Sequence, residues 1–334
     1  MATVCFSTLA QGGNAMVLVG NIGSPGGGQW FVRKTPQRIL ELVPHSVFKV
    51  PFGSTESARE SAIREHRILE RLYHRNIVES RGVVKALFHC GTESADIAAL
   101  VLPRADGSLY EIMETEDFRH VSDQLPRDLL QGLEQIHALG MIHGDVHLRN
   151  VLLFGRTWKL CDVEGAVTIG TEISCMAAGT PYMSRAPEVV KRIHEVEIAW
   201  TGQWAGKQAK TEAAAALQML EDCPSLYDRA RESITIAASP SMDMWGFGTS
   251  LYLVYGQTNW MGPSPNVGPD NWVHHPIHEE LERIASAPAK SVLRSIGTRY
   301  GRPLKQLIGS CLEEGPTHRP SATTLLRLVS VAGG

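Results

Sequence analysis

His143-Gly144-Asp145-Val146-His147-Leu148-Arg149-Asn150 is followed twelve residues on by Asp162-Val163-Glu164-Gly165-Ala166. Between them, Val151-Leu152-Leu153-Phe154 and Trp158-Lys159-Leu160-Cys161 are short apolar runs around a turn at Gly155-Arg156-Thr157. That is the pattern of a β-hairpin with a polar loop at each end. The hairpin is expected to gather Asp145, Asn150 and Asp162 at one end of a rigid element. Carboxylate and amide oxygens clustered in this way suit Mg²⁺, a hard cation that takes few protein ligands and completes its shell with phosphate and water.

The spacing H-x-D-x-x-x-x-N with a later aspartate resembles the catalytic loop and metal-binding Asp of the protein-kinase-like superfamily. The resemblance implies that Asp145 accepts or orients the proton of the attacking hydroxyl, and that Asn150 and Asp162 hold Mg²⁺ against nucleotide phosphates. It implies a packed, structural His143. Three departures stand out. Gly144 replaces the arginine that usually receives an activation-loop phosphate, His147 replaces the lysine many Ser/Thr kinases use, and Asp162-Val163-Glu164 replaces D-F-G. Glu164 reads as a solvated loop residue in preference to a second carboxylate beside the metal. H-G-D-x-H-x-x-N with D-x-E-G-A also resembles the small-molecule phosphotransferases related to aminoglycoside and choline kinases. Residues 143–166 alone therefore leave the phosphate acceptor open.

Working upstream, Met16-Val17-Leu18-Val19 and Trp30-Phe31-Val32 read as strands around the Gly-rich Gly20–Gly28. Backbone N–H groups at such a turn can approach phosphates because no Cβ blocks them. Gly23, Gly26 and Gly28 are the candidates, although the run departs from G-x-G-x-x-G and Pro25 lacks a donor. Ser46-Val47-Phe48-Lys49-Val50 resembles the strand carrying the kinase lysine. Residues 57–73 read as a helix with Ile63, Leu69 and Leu72 on its apolar side. The run Glu65 to Val78 resembles the kinase helix E-x-x-x-L-x-x-L-x-H-x-N-I-V, which implies that Glu65 pairs with Lys49 and aims it at the α- and β-phosphates of ATP. Strands at Val83–Cys90 and Ile97–Leu102 complete an antiparallel sheet of about five strands. Pro103–Gly107 resembles the hinge, implying adenine hydrogen-bonded to backbone groups near Leu102 to Arg104. Ser108-Leu109-Tyr110 opens a helix, and a second helix over 125–139 ends at Gly140.

Downstream, Gly179-Thr180-Pro181-Tyr182-Met183 with Ala186-Pro187-Glu188 resembles the kinase segment that forms a platform for a protein substrate, with Ser184-Arg185 as additional residues. The small-molecule kinases lack it. Ser241-Met242-Asp243-Met244-Trp245-Gly246-Phe247-Gly248 resembles the start of the central helix, where Asp243 would anchor the catalytic-loop backbone. Gly315-Pro316-Thr317-His318-Arg319-Pro320-Ser321 resembles the closing pattern whose arginine, Arg319, would form a buried pair with Glu188. An insertion at about 191–238 includes an Ala-rich stretch, 211–220, of high helix propensity. It reads equally as a docking or autoinhibitory element and as a surface elaboration.

The implied fold is α+β and bilobal, a small antiparallel β-sheet lobe plus a larger, mainly α-helical lobe. The division is a flexible lead at 1–15 and a kinase domain at 16–330, with lobes at about 16–102 and 103–330. A hydrophobic content of 43% and charged content of 20% are those of a globular chain, and a net charge of −3 argues against a nucleic-acid binder. The six cysteines show no zinc or disulfide spacing, and no basic leader or apolar run of membrane length is present. A cytoplasmic or nucleocytoplasmic location is expected. The implied activity is ATP-dependent phosphorylation of Ser/Thr in protein substrates, with Mg²⁺ or Mn²⁺. The alternatives are a pseudokinase scaffold and a small-molecule phosphotransferase.

Overall fold

A computed structural model describes residues 3–11, 15–22, 30–32, 37–53, 55–90, 93–113, 115, 118–175, 186–192, 234–256 and 290–332. Gly23, Gly26 and Gly28, the 179–185 segment and residues 193–233 of the insertion lie outside the described residues. The chain divides into two compact units, Met1–Leu139 with Leu148–Ala166 and Gly140–His147 with Val167–Gly334.

The first unit is built on an antiparallel barrel. Strands β1 (Val4–Gln11), β2 (Ala15–Ile22), β3 (Trp30–Val32), β4 (Ser46–Pro51), β5 (Val83–Cys90) and β6 (Glu93–Pro103) close in the order β1-β2-β4-β6-β5-β3. This corrects the expectation of a sheet of about five strands, and also the expectation of a flexible lead. The added strand is β1, which pairs with β2 on one side and β3 on the other and so closes the sheet. Its alternate residues Val4 and Phe6 are buried in the barrel core with Leu18, Phe48, Phe88 and Val101. The Phe6 and Phe48 rings meet edge to face at 5.2 Å. Apolar burial of this kind outweighs the Ser/Thr/Gln-rich look of the segment.

Helix α1 (Gln37–Leu42) and the turn after it add Ile39 and Val43 to the same core. On β4, Phe48 and Val50 point into the barrel, so the period-two alternation sends Lys49 to the outer face. Helix α2 (Thr55–Arg71) covers that face and buries Lys49. Its buried stripe continues past the helix end and runs Ala58, Ala62, Glu65, Leu69 and Leu72, at steps of four and three residues. A glutamate thus occupies a core position, and Ile63, expected on the apolar side, is only half-buried.

A second layer joins β7 (Gly107–Ser108), β9 (Val151–Phe154) and β10 (Thr157–Leu160) in the order β10-β9-β7; β8 (Met141–Ile142) belongs to the other unit. Helix α3 (Leu109–Ile112) starts with a capping box, in which the Ser108 hydroxyl accepts the Glu111 N–H and the Glu111 carboxylate accepts the Ser108 N–H. After α4 (Phe118–Val121), helix α5 (Leu125–Ala138) fully buries Leu125, Leu129, Leu133 and Ile136.

In the second unit, β8 pairs with β11 (Val167–Thr168), and β12 (Glu172–Ser174) with β13 (Thr235–Ala237). Four helices follow among the described residues: α6 (Pro240–Gly256), α7 (Lys290–Tyr300), α8 (Arg302–Cys311) and α9 (Ala322–Ala332). Met244, Trp245, Phe247, Leu251 and Tyr252 bury α6 on every side, as a helix apolar all round requires. Among the described residues, no helix is long and apolar enough to cross a membrane. Cys5, Cys161, Cys175 and Cys311 are buried thiols, and burial pushes Cys311 up to about 12.

Candidate active site

In the first unit, four charged side chains converge on the outer face of β4. The Lys49 ammonium donates to both oxygens of Glu65, at 3.0 and 2.8 Å, and to Asp162 Oδ1 at 2.8 Å. Glu164 Oε2 lies 3.7 Å from the same nitrogen. Burial opposes the charge on Lys49, but the Glu65 and Asp162 carboxylates more than offset it and hold its pKa above the ordinary value. Burial pushes Glu65 up to about 7, with Lys49 pulling in the opposite direction. Such a pair is retained for geometry more than for stability, because desolvation consumes much of the Coulomb gain.

Asp162 reaches Lys49 because the hairpin beneath it is pinned. The Trp158 indole N–H donates to the Val121 carbonyl at 2.9 Å, and its backbone N–H donates to Asp128 at 2.9 Å. Asn76 Nδ2 donates to the Trp158 carbonyl at 3.0 Å. Burial raises Asp128 above the usual carboxylate range, with the Trp158 N–H opposing it. The segment after α2 is stitched to the second strand, Val78 N–H to Leu160 at 2.8 Å and Leu160 N–H to Asn76 at 2.9 Å. Two residues past Leu160, Asp162 adopts φ 59°, the only positive-φ residue other than glycine among the described residues. Aspartate tolerates that conformation better than most, at a cost of about 1–2 kcal/mol. The Cys161 N–H donates to the Asn150 carbonyl at 3.0 Å, so Asn150 and Asp162 flank the open end of the hairpin.

The hinge stretch is also in this unit. Leu102 is paired with Val47 in the barrel, and the Arg104 N–H donates to the His45 carbonyl at 3.1 Å. Arg104 lines a cleft of about 530 Å³ that includes Glu79, Arg81 and Lys159 and none of Lys49, Glu65 or Asp162. The Asp106 N–H donates to Leu153 at 2.9 Å. Between them, the Ala105 N–H carries no bond to another described residue.

In the second unit, buried Asp243 on α6 accepts the His143 N–H at 2.8 Å and the Gly144 N–H at 2.9 Å. Gly144 has φ 80°, a conformation in which a side chain would be strained. The fully buried His143 ring accepts the Asp145 N–H at 3.3 Å. Asp145 Oδ2 lies 3.4 Å from His147 Nε2. A Cβ on Gly246 would come within 2.5 Å of the Val146 carbonyl, so only glycine lets α6 pass this close to the loop. Deeper in the unit, the Arg319 guanidinium makes a two-point fork with Glu188, 2.8 Å at each point. It also donates to the carbonyls of Ser241, Glu313 and Glu314 and lies over the Trp245 ring.

The structure thus brings together Lys49, Glu65 and Asp162 in one unit, and His143, Gly144, Asp145 and Asp243 in the other. One expectation is corrected. Glu164 is no solvated loop residue: its Oε1 accepts the Ser61 hydroxyl at 2.9 Å and lies 4.0 Å from Arg64, and its side chain is 20% exposed. Ser61 went unnoticed in the sequence, although it stands one turn before Glu65 on the same helix face.

Carboxylate oxygens of Glu65, Asp162 and Glu164 lie within 4.8 Å of one another. The Lys49 ammonium sits among them and balances part of their charge. The Asp162 side chain is 39% exposed and so open to an added ligand, and a carboxylate oxygen is of the hard type that Mg²⁺ takes.

Residues 47–200 match the family model described as protein kinase domain. The chain is 32% identical over 44% of its length to the serine/threonine-protein kinase Tao of Drosophila melanogaster, covering 13% of that protein. It is 29% identical over 38% of its length to mitogen-activated protein kinase kinase kinase 1 of Arabidopsis thaliana, covering 20%. To serine/threonine-protein kinase ssp1 of Schizosaccharomyces pombe it is 25% identical over 65% of its length, covering 29%. It therefore spans less than a third of each of these relatives.

Proposed function

We propose that this chain, a member of the protein-kinase-like superfamily, transfers the γ-phosphoryl group of ATP to Ser or Thr hydroxyls of protein substrates. The observation that carries the reading is Lys49, held at 2.8 Å from both Glu65 on α2 and Asp162 at the end of the hairpin. An ammonium fixed between two separate elements is a preorganised partner for the α- and β-phosphates. Phosphoryl transfer asks a protein mainly for such positioning and electrostatics. The Ala105 N–H meets the adenine edge, and the resemblance of the Gly-rich run assigns the phosphates to the backbone N–H groups of Gly23, Gly26 and Gly28.

Asn150 and Asp162 would hold Mg²⁺, or Mn²⁺, which when bound draws charge from the phosphates. Asp145 orients the attacking hydroxyl and takes its proton, and its backbone is fixed through His143 and Asp243. A protein acceptor is supported by the resemblance of residues 179–188 to a substrate platform. The Ser/Thr preference is supported by the likeness to the serine/threonine-protein kinases Tao and ssp1.

The test offers the purified full chain ATP and Mg²⁺ with a broad protein panel and, in parallel, with amino-alcohols and aminoglycosides. Phosphoserine or phosphothreonine in the panel is the expected product. ATP consumption driven by the small molecules alone would replace this reading with a small-molecule phosphotransferase. Bound Mg-ATP with no transfer would replace it with a nucleotide-binding scaffold.

A further inference from the structure

We infer that Glu164 is a positioning residue that ties α2 to the turn after Asp162 through Ser61, and so holds Glu65 against Lys49. The inference deepens the kinase reading above and rests on it for the nucleotide part of its test. One Glu164 oxygen accepts the Ser61 hydroxyl at 2.9 Å, and the other faces Lys49 at 3.7 Å. Ser61 and Glu65 are four residues apart, so both project from the same face of α2. Two adjacent helical turns are therefore bonded to two different partners: Glu65 to the strand lysine, and Ser61 to the Asp162-Val163-Glu164 turn.

Local structure explains why Glu164 reaches the helix. Asp162 is left-handed, Val163 is fully buried, and residues Val163–Gly165 form a single 3₁₀ turn closed by the Ala166 N–H on the Val163 carbonyl at 3.0 Å. With Val163 anchored inward, the next side chain leaves the turn toward α2. A glycine at that position, as in D-F-G, has nothing with which to make the bond. The hydroxyl–carboxylate bond is charge-assisted and partly buried, which makes it stronger than an exposed pair. Arg64 at 4.0 Å contributes less, because its side chain is largely exposed. The tie orients α2 from within the chain.

Three variants of the full chain test this: Glu164→Ala, Ser61→Ala and Glu164→Gln, whose amide oxygen still accepts from Ser61. Amide hydrogen exchange of α2 and the kcat and KM for ATP are measured on each. Glu164→Ala and Ser61→Ala are expected to speed exchange in α2 about tenfold and to raise KM about tenfold, the worth of one hydrogen bond to a charged group. Glu164→Gln, which keeps the acceptor oxygen but not the charge, is expected to fall between the parent and Glu164→Ala in both. Parent-like exchange in Glu164→Ala and Ser61→Ala overturns the tie, as does a Glu164→Gln that matches Glu164→Ala. The exchange arm needs no turnover. A parent chain without transfer activity whose α2 protection is nevertheless lost in Glu164→Ala removes the kinase reading and leaves the tie standing.

Discussion

Lys49 and Glu65 form a buried two-point ion pair, 3.0 and 2.8 Å from one ammonium to two carboxylate oxygens, with side chains only 7% and 1% exposed. Both stand where a packed apolar residue would otherwise be, Lys49 under α2 and Glu65 on its buried stripe. The arrangement sacrifices core packing for a fixed ammonium, which a neutral pair of the same size would not supply.

The pair makes stability depend on pH in a definite direction. Burial pushes the folded Glu65 up to about 7 from an ordinary 4.5. Between those values the folded chain holds a proton that the unfolded chain has released. The stabilising contribution is complete below about 4.5 and is lost as pH rises through about 7. Urea midpoints from pH 5 to 8 should therefore fall for the parent relative to Glu65→Gln, by at most about 1.4 kcal/mol per pH unit. Parallel curves for the two proteins would contradict it.

Asp243 accepts the backbone N–H groups of His143 and Gly144 at the start of the 143–150 loop. Asp243→Asn keeps one acceptor oxygen and turns an NH₂ toward the other N–H. A loss of about 2 kcal/mol in chemical denaturation is expected, with a drop in kcat of about tenfold. Unchanged stability together with unchanged kcat would show that the loop holds its shape without this anchor.

Glu188 and Arg319 should behave as one unit. Removing either alone strands a buried charge and should cost about 3–5 kcal/mol. The pair Glu188→Ala with Arg319→Met should cost well under the sum of the singles, since neither charge is then left alone. Strictly additive losses in a double-mutant cycle would mean that the fork is not the interaction being broken.

Thr171 precedes β12 and Ser174 is its last residue, paired with Thr235 of β13, and Gly144 supplies no cationic side chain for a phosphate on either hydroxyl. Thr171→Ala and Ser174→Ala should each keep transfer activity within about twofold, a spread that corresponds to roughly 0.4 kcal/mol. A large loss from either, measured as kcat/KM, would point to regulation through that hydroxyl.

Much of the fold is legible in the sequence. The hairpin at 151–160 and the helix carrying Glu65 follow from turn residues and period, because each buries one clear apolar set, whereas α6, apolar all round, was expected only from its resemblance to the central kinase helix. The strand at Val4–Gln11 was not legible. Its Ser, Thr and Gln face solvent, and only pairing on both edges reveals that Val4 and Phe6 complete a barrel. Glu164 was misread for a related reason. A lone glutamate in a loop is usually solvated, and its partner Ser61 lies 103 residues away in sequence. The sequence is equally silent on the backbone bonds that occupy the Arg104 and Asp106 N–H groups.

The most direct test of phosphoryl transfer is γ-phosphate transfer from labelled ATP by the parent chain and by Asp145→Asn, in Mg²⁺ and separately in Mn²⁺. Asparagine keeps the size of Asp145 and removes its ability to take a proton. Transfer to protein Ser/Thr by the parent is expected, with a loss of at least about a hundredfold in Asp145→Asn. Equal transfer by the two proteins, in either metal, would contradict it.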